Sequence, residues 1–431
     1  MTQLSRERTS FRVERQRNAY VSAGLFPLAA TTAACPHPSD SGRTRWVQLM
    51  NLFEGSDRGT GVLCRISDDK GNTWRETGIY DRAYRLNRDA HEKMLKLQNG
   101  IVYDERAGVL VRFGTEYVWR EGDLQTILSS ILSKRRIYYS ISFDGGETWT
   151  DSRYMFQHGG DYDRDRMFPG VTFGRNMIMP SNPIVVRGAG SRQGNLAVGV
   201  QIQMLDEEGM LFNPTVMGFF HSGCLFGAWN AELLRYEWTI GEETVQVPVT
   251  ESTRGIYEPA LCECDDGRII MILRGSNTKA REQIPGTKWI SVSDDQGATW
   301  SKPERLHYDD VSLMYSSSTF PSLVRDQAGV FYFVGMVNED NPDGNLPRYP
   351  LCIAQLDTDT LTIVKESVTP IVTKQPQQDE ANGKYPVDFS NQAVLWDEED
   401  GKLIAFVPYQ PDLNCYEGIL LQVEVQVLKQ Q

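Results

Sequence analysis

Short apolar runs, broken by Gly, Asp and Asn, dominate this chain. Six stretches share one grammar of apolar run, tight turn and apolar run: 23–31 (AGLFPLAAT), 91–114 (HEKMLKLQNGIVYDERAGVLVRFG), 167–179 (MFPGVTFGRNMIM), 257–275 (YEPALCECDDGRIIMILRG), 319–335 (TFPSLVRDQAGVFYFVG) and 389–407 (FSNQAVLWDEEDGKLIAFV). Asp/Gly turns between such runs, as in CDDGRIIMIL and DEEDGKLIAF, predict antiparallel hairpins. Helical spacing is confined to GDLQTILSSILSKRR at 122–136, which reads as an insertion.

An octapeptide punctuates the pattern. SDDKGNTW, SFDGGETW and SDDQGATW begin at residues 67, 142 and 293, 75 and then 151 residues apart. Their common form is S-x-D-x-G-x-T-W. Asp69, Asp144 and Asp295 suit acceptance of backbone N–H groups inside a turn, and Gly71, Gly146 and Gly297 suit a positive φ. Trp74, Trp149 and Trp300 are expected to fold back as apolar lids over their hairpins. The second interval is almost twice the first, and SGCLFGAW at 222–229 reads as a degraded copy in the gap. A long period of this kind marks repeated supersecondary units. The expectation is an all-β, six-bladed β-propeller with four antiparallel strands per blade. Residues 20–428 would form this single domain behind an N-terminal extension, 1–19.

Composition narrows the partners. The chain has 431 residues, 40% of them hydrophobic, with a net charge of −13. Such acidity argues against nucleic-acid binding and makes an anionic substrate depend on a locally basic site. No run of about 18 apolar residues predicts a membrane span, and MTQLSRERTSFRVERQR lacks a signal-peptide core, so a cytoplasmic location is expected. The seven cysteines include no C-x-x-C pair, which predicts buried thiols and no metal site. No phosphate-binding, dinucleotide or nucleophile-elbow motif calls for a cofactor.

The repeated S-x-D-x-G-x-T-W turns on a six-fold β repeat resemble the sialidase superfamily over residues 20–428. That resemblance implies boxes on the blade rims and an active site over the axis, with an Arg triad, a Tyr nucleophile activated by Glu, and an Asp acid/base. EPALCECDDGRIIMILR resembles the family's Glu-strand-Asp-Gly-strand-Arg stretch and nominates Glu258 as catalytic and Arg274 as carboxylate-binding. A salt bridge capping the barrel is the alternative reading of that pair. SDRGTGVLCRISDDKGNTW resembles the acid/base loop and nominates Asp57, which also fits a plain turn residue. NLPRYPLCIAQLD resembles the strand of the third arginine and nominates Arg348, whose planar fork grips a carboxylate. Two positions depart from the family. Leu25 stands where the first arginine is expected, and Phe389 where the nucleophilic tyrosine is expected. Tyr385 and Tyr409 are the substitutes in reach of the sequence.

Other polar residues fall where inner strands begin. His91 is a candidate acid or base, although a lone histidine is as readily structural. Lys93, Arg166 and Asp388 are candidate substrate-binding groups, as is His221, which is expected on the next hairpin of blade three. Tyr117, Trp119, Trp289 and Tyr315 lie nearby and suit either a sugar face or packing between blades.

These features predict an exo-acting, sialidase-like glycoside hydrolase cleaving a terminal acidic sugar from a glycan. A lyase acting on a uronate and a non-catalytic glycan-binding propeller are the alternatives. In each case the expected partner is carbohydrate.

Overall fold

A computed structural model describes residues 9–55, 57–86, 91–122, 124–215, 218–281, 283–374, 388–409 and 417–429. Six antiparallel sheets stand in a ring. Their inner strands, Phe26–His37, Glu92–Asp104, Ile178–Val185, Tyr257–Glu263, Ser322–Arg325 and Ala393–Asp397, are each neighbours of the next, and the last returns to the first. We number the blades one to six in that order. The six-bladed propeller is therefore as expected. Apolar clusters fill the wedges between sheets, as where Phe113, Tyr139 and Ile178 meet Trp238 between blades two and three.

Ring closure corrects the domain boundary. Strand Thr9–Ala23 pairs with Glu417–Lys429 as the outermost strand of blade six, setting Phe11 opposite Val427. Residues 9–19 are thus part of the propeller and not an extension. The chain's first described strand fastens its last sheet, and this leaves no open seam in the ring.

The three octapeptides repeat one hydrogen-bond pattern. Ser67 Oγ donates to Asp69 Oδ1 at 2.8 Å and accepts from Gly71 N at 2.7 Å. Asp69 then takes Thr73 N at 2.8 Å and Thr73 Oγ1 at 2.7 Å on its two oxygens. Asp144 and Asp295 do the same with Thr148 and Thr299. The glycines have φ of 77°, 88° and 89°.

Each box also reaches the preceding blade. A Cβ on Gly146 would lie 2.7 Å from Val47 of blade one, one on Gly297 would lie 3.0 Å from Phe226 of blade three, and Trp74 meets Phe406 of blade six edge-on at 6.0 Å. The tryptophans are interblade pegs more than lids on their own hairpins. SGCLFGAW is no degraded turn. It lies inside strand Phe220–Asn230, the third of blade three, and the turn follows it.

Antiparallel order divides the faces. Inner-strand starts and second-to-third connections share one end, the mouth, while the boxes, between third and fourth strands, lie on the other. The expected helix forms at Leu124–Ser133, in a mouth connection of blade two.

Gly146→Ala combines a left-handed φ with a clash against Val47. We expect it to lower stability by about 1–3 kcal/mol with secondary structure retained. Denaturant melts followed by circular dichroism check this, and an unchanged midpoint contradicts the interblade role of the box.

Candidate functional site

Hairpin register brings Glu258 and Arg274 together. Their strands pair with Tyr257 opposite Arg274, and an irregularity between Tyr257 and Ala260 places Glu258 in the left-handed region at φ 50°. A bulge of this kind re-aims a side chain at the cost of local strain. The result is a buried ion pair, Arg274 Nη1 to Glu258 Oε2 at 2.6 Å. Arg274 is fixed further through Nε to Ser318 Oγ at 2.9 Å and Nη2 to Asn345 Oδ1 at 3.0 Å. Its guanidinium stands 4.8 Å from the Tyr257 ring centroid, and Tyr257 shares Ser318 through a 3.1 Å hydroxyl contact. Burial works to lower Arg274, but the Glu258 carboxylate outweighs it and holds the group above the usual arginine value. Behind Glu258 lies an axial cavity of about 130 Å³ bounded by all six inner strands.

A second buried guanidinium lies within electrostatic reach of the same carboxylate. Arg135 is buried at the start of the third strand of blade two, its Nη1 donates to Met179 Sδ at 2.9 Å, and it stacks on Tyr117 at 4.9 Å. Among the described residues its Nε has no hydrogen-bond partner and the side chain forms no ion pair. Burial lowers its pKa, against the pull of Tyr117, Asp57 and Glu258. Lys288, opposite Arg274 in register, is also buried, with Nζ to Ser317 O at 2.7 Å. Burial and then Arg274 hold it well below the usual lysine range.

The other nominated residues divide. Arg348 and Asp388 meet at 2.6 Å, with Ser390 Oγ 3.0 Å from the same Arg348 nitrogen, and the Asp388 charge is felt at Arg274. Asp57 is exposed at φ 55° in the mouth hairpin of blade one. Its carbonyl takes the Tyr117 hydroxyl, and its charge, like that of Glu258, acts on Arg135. His91 stands on the rim, 80% exposed, beside Glu121 at 3.4 Å, and Lys93 lies 3.8 Å from Glu54. Arg166 sits on an outlying two-stranded hairpin, paired with Asp161 at 2.5 Å. These three have local partners and do not join the Glu258 group. His221 starts the third strand of blade three, where burial pushes it down to about 4 and its Nδ1 has no partner among the described residues.

Phe389 is buried against Tyr409, with ring centroids 5.7 Å apart. Tyr385 lies outside the described residues. The sequence reading did not single out Arg135, Lys288, Ser318 or Asn345. Arg135 had one signal, the KRR run ending the helical insertion, but nothing in that run says which basic residue turns inward.

A cluster of guanidinium and carboxylate groups centred on the Glu258–Arg274 pair, at the mouth of a box-bearing six-bladed ring, defines a sialidase-like propeller. The chain belongs to the BNR repeat-like domain family, whose model matches residues 48–362. It is similar in structure to a protein of unknown function from Dyadobacter fermentans, with TM-score 0.59 and 12% identity over 97% of this chain and 100% of that one. It is similar also to the NanB sialidase of Streptococcus pneumoniae, with TM-score 0.57 and 12% identity over 94% and 68% of the two chains. The intramolecular trans-sialidase of Ruminococcus gnavus, in complex with oseltamivir carboxylate, gives TM-score 0.52 and 11% identity over 93% and 94%. At these identities the likeness is one of fold. No curated protein matches the chain.

Breaking the buried pair from one side leaves a stranded charge, so Glu258→Gln and Arg274→Met should each cost about 3–5 kcal/mol, and the double variant less than their sum. Additive losses in denaturant unfolding contradict the coupling. His221 gives a pH signature. Its folded pKa of about 4 lies below the unfolded imidazole's, so its contribution is complete above the unfolded value and is lost as pH falls towards 4. Relative to His221→Gln, the parent should lose up to about 3 kcal/mol between roughly pH 6.5 and 4. Parallel pH–stability curves contradict it.

Proposed function

We propose that this protein is an exo-acting, sialidase-like glycoside hydrolase that removes a terminal acidic sugar from a glycan. The observation that carries this reading is the buried Arg135, which has no carboxylate partner among the described residues and lies within electrostatic reach of the Glu258–Arg274 pair. A buried guanidinium without an anion is costly, and a sugar carboxylate supplies one. Arg274, held by Ser318 and Asn345, and Arg348 complete a cationic lining inside an acidic molecule.

In this reading the carboxylate docks against Arg135 and Arg274, which orients the glycosidic bond towards Asp57. Asp57 gives its proton to the leaving oxygen as the anomeric C–O bond breaks. A water attacks the anomeric carbon from the opposite side and passes its proton to Glu258. Phe389 has no oxygen with which to form a glycosyl-enzyme, so direct displacement with inversion follows. The effect of both Asp57 and Glu258 on Arg135 supports their facing one space.

A second reading, a glycan-binding propeller without catalysis, is favoured by the commitment of Glu258 to Arg274 and by the buried Phe389.

Purified protein assayed against sialosides, uronosides and neutral aryl glycosides decides between them. We expect release from an acidic class, with Glu258→Gln lowering kcat/KM by roughly 10²–10⁴-fold. An unsaturated, ultraviolet-absorbing product identifies a lyase. Saturable binding without release, retained in Glu258→Gln, identifies the glycan-binding propeller.

A further inference from the structure

A second buried guanidinium without an ion pair among the described residues lies far along the fold from the mouth, at the seam where the ring closes. Arg65, in strand Gly59–Ser67 of blade one, is 2% exposed. Its Nε donates to Gln48 Oε1 at 2.7 Å and its Nη1 to the Ala19 carbonyl at 2.7 Å. Both partners are neutral. Among the described residues its Nη2 has no partner and the side chain forms no ion pair. Its guanidinium is held between two rings, Trp74 at 4.5 Å and Tyr20 at 5.4 Å, which fixes its direction.

Arg65 lines a cavity of about 270 Å³ between the closing strand Thr9–Ala23 and the first box, on the face opposite the mouth. Arg17 lines the same cavity. It reaches the Gly71 and Asn72 carbonyls, while its Nε is buried and unpartnered. The Trp74 Nε1 is buried and unpartnered too. The cavity wall therefore carries two guanidinium groups against one carboxylate, Glu76. Burial holds Arg65 down at about 10, against the opposing pull of Tyr20 and Glu76, and Arg17 adds slightly to the lowering.

We propose that this seam cavity is an oxyanion-binding site, taking a group of phosphate or sulfate size against Arg65 and Arg17. A planar fork with spare N–H donors matches such an oxyanion, and burial strengthens the interaction. The cavity joins the first described strand to blade one, so an anion there stabilises the closed ring by mass action. The site is independent of the mouth and of any glycosidase activity.

Thermal unfolding of the full chain is measured in inorganic phosphate, inorganic sulfate and glucuronate, with chloride at matched ionic strength as the control. We expect a saturable rise in Tm of about 2–4 °C in phosphate or sulfate. It should be absent from Arg17→Gln and survive in Arg348→Gln, which alters only the mouth. A response to glucuronate that shares the Arg17 dependence identifies a sugar-borne carboxylate as the source. Arg65→Met should lose the response and unfold no earlier than the parent in chloride. If that variant does not fold, calorimetric titration of phosphate into parent and Arg17→Gln decides the matter. No saturable response, or an equal one in Arg17→Gln, overturns the proposal.

Discussion

The structure depends on closure of a ring. Six twisted sheets can share an axis only if the last is fastened to the first, and Thr9–Ala23 does this by pairing with Glu417–Lys429. Every inner strand then begins at the same end of the molecule, and residues distant in sequence, such as Arg135, Glu258, Arg274 and Arg348, gather at one mouth. The boxes serve closure from the opposite face, each fixing its own turn and pressing on the blade before it. This is why a motif repeated so plainly carries architecture.

At the mouth, electrostatics oppose the overall charge. A chain of net charge −13 buries the guanidinium groups of Arg274 and Arg135 near Glu258 and leaves the Nε of Arg135 without a partner among the described residues. Folding has to overcome the desolvation of those cations. The strained backbone of Glu258 adds to that cost, and strain of this kind concentrates where geometry serves function. The seam repeats the theme with Arg65, which is held between two rings with Arg17 and Glu76 lining the same cavity.

Much of this was legible in the sequence where local rules suffice. Turn chemistry marked the boxes, and Asp/Gly hairpins fixed the pairing that joins Glu258 to Arg274. The closing strand was missed because RTSFRVERQRNAYV alternates charge with apolar residues and finds its partner at the far end of the chain, which no local pattern encodes. His91 and Lys93 were placed correctly at the inner-strand start of blade two, but position does not fix direction; Arg166 was misplaced, because it lies on a separate two-stranded hairpin ahead of the blade-three inner strand Ile178–Val185. Glu121, Glu54 and Asp161 hold them locally. Arg135 and Lys288 escaped because inward turning is decided by packing across blades. SGCLFGAW misled because its Ser, Gly and Trp spacing suits a buried strand as well as a turn.

The central claim is that the mouth recognises a sugar through its carboxylate. Calorimetric titration with an acidic monosaccharide and with its methyl ester, on parent and Arg135→Gln, tests it most directly. The account predicts that the acid binds the parent at least about tenfold more tightly than the ester, about 1.4 kcal/mol, and that Arg135→Gln removes most of the difference. Equal affinity for acid and ester in the parent would contradict it.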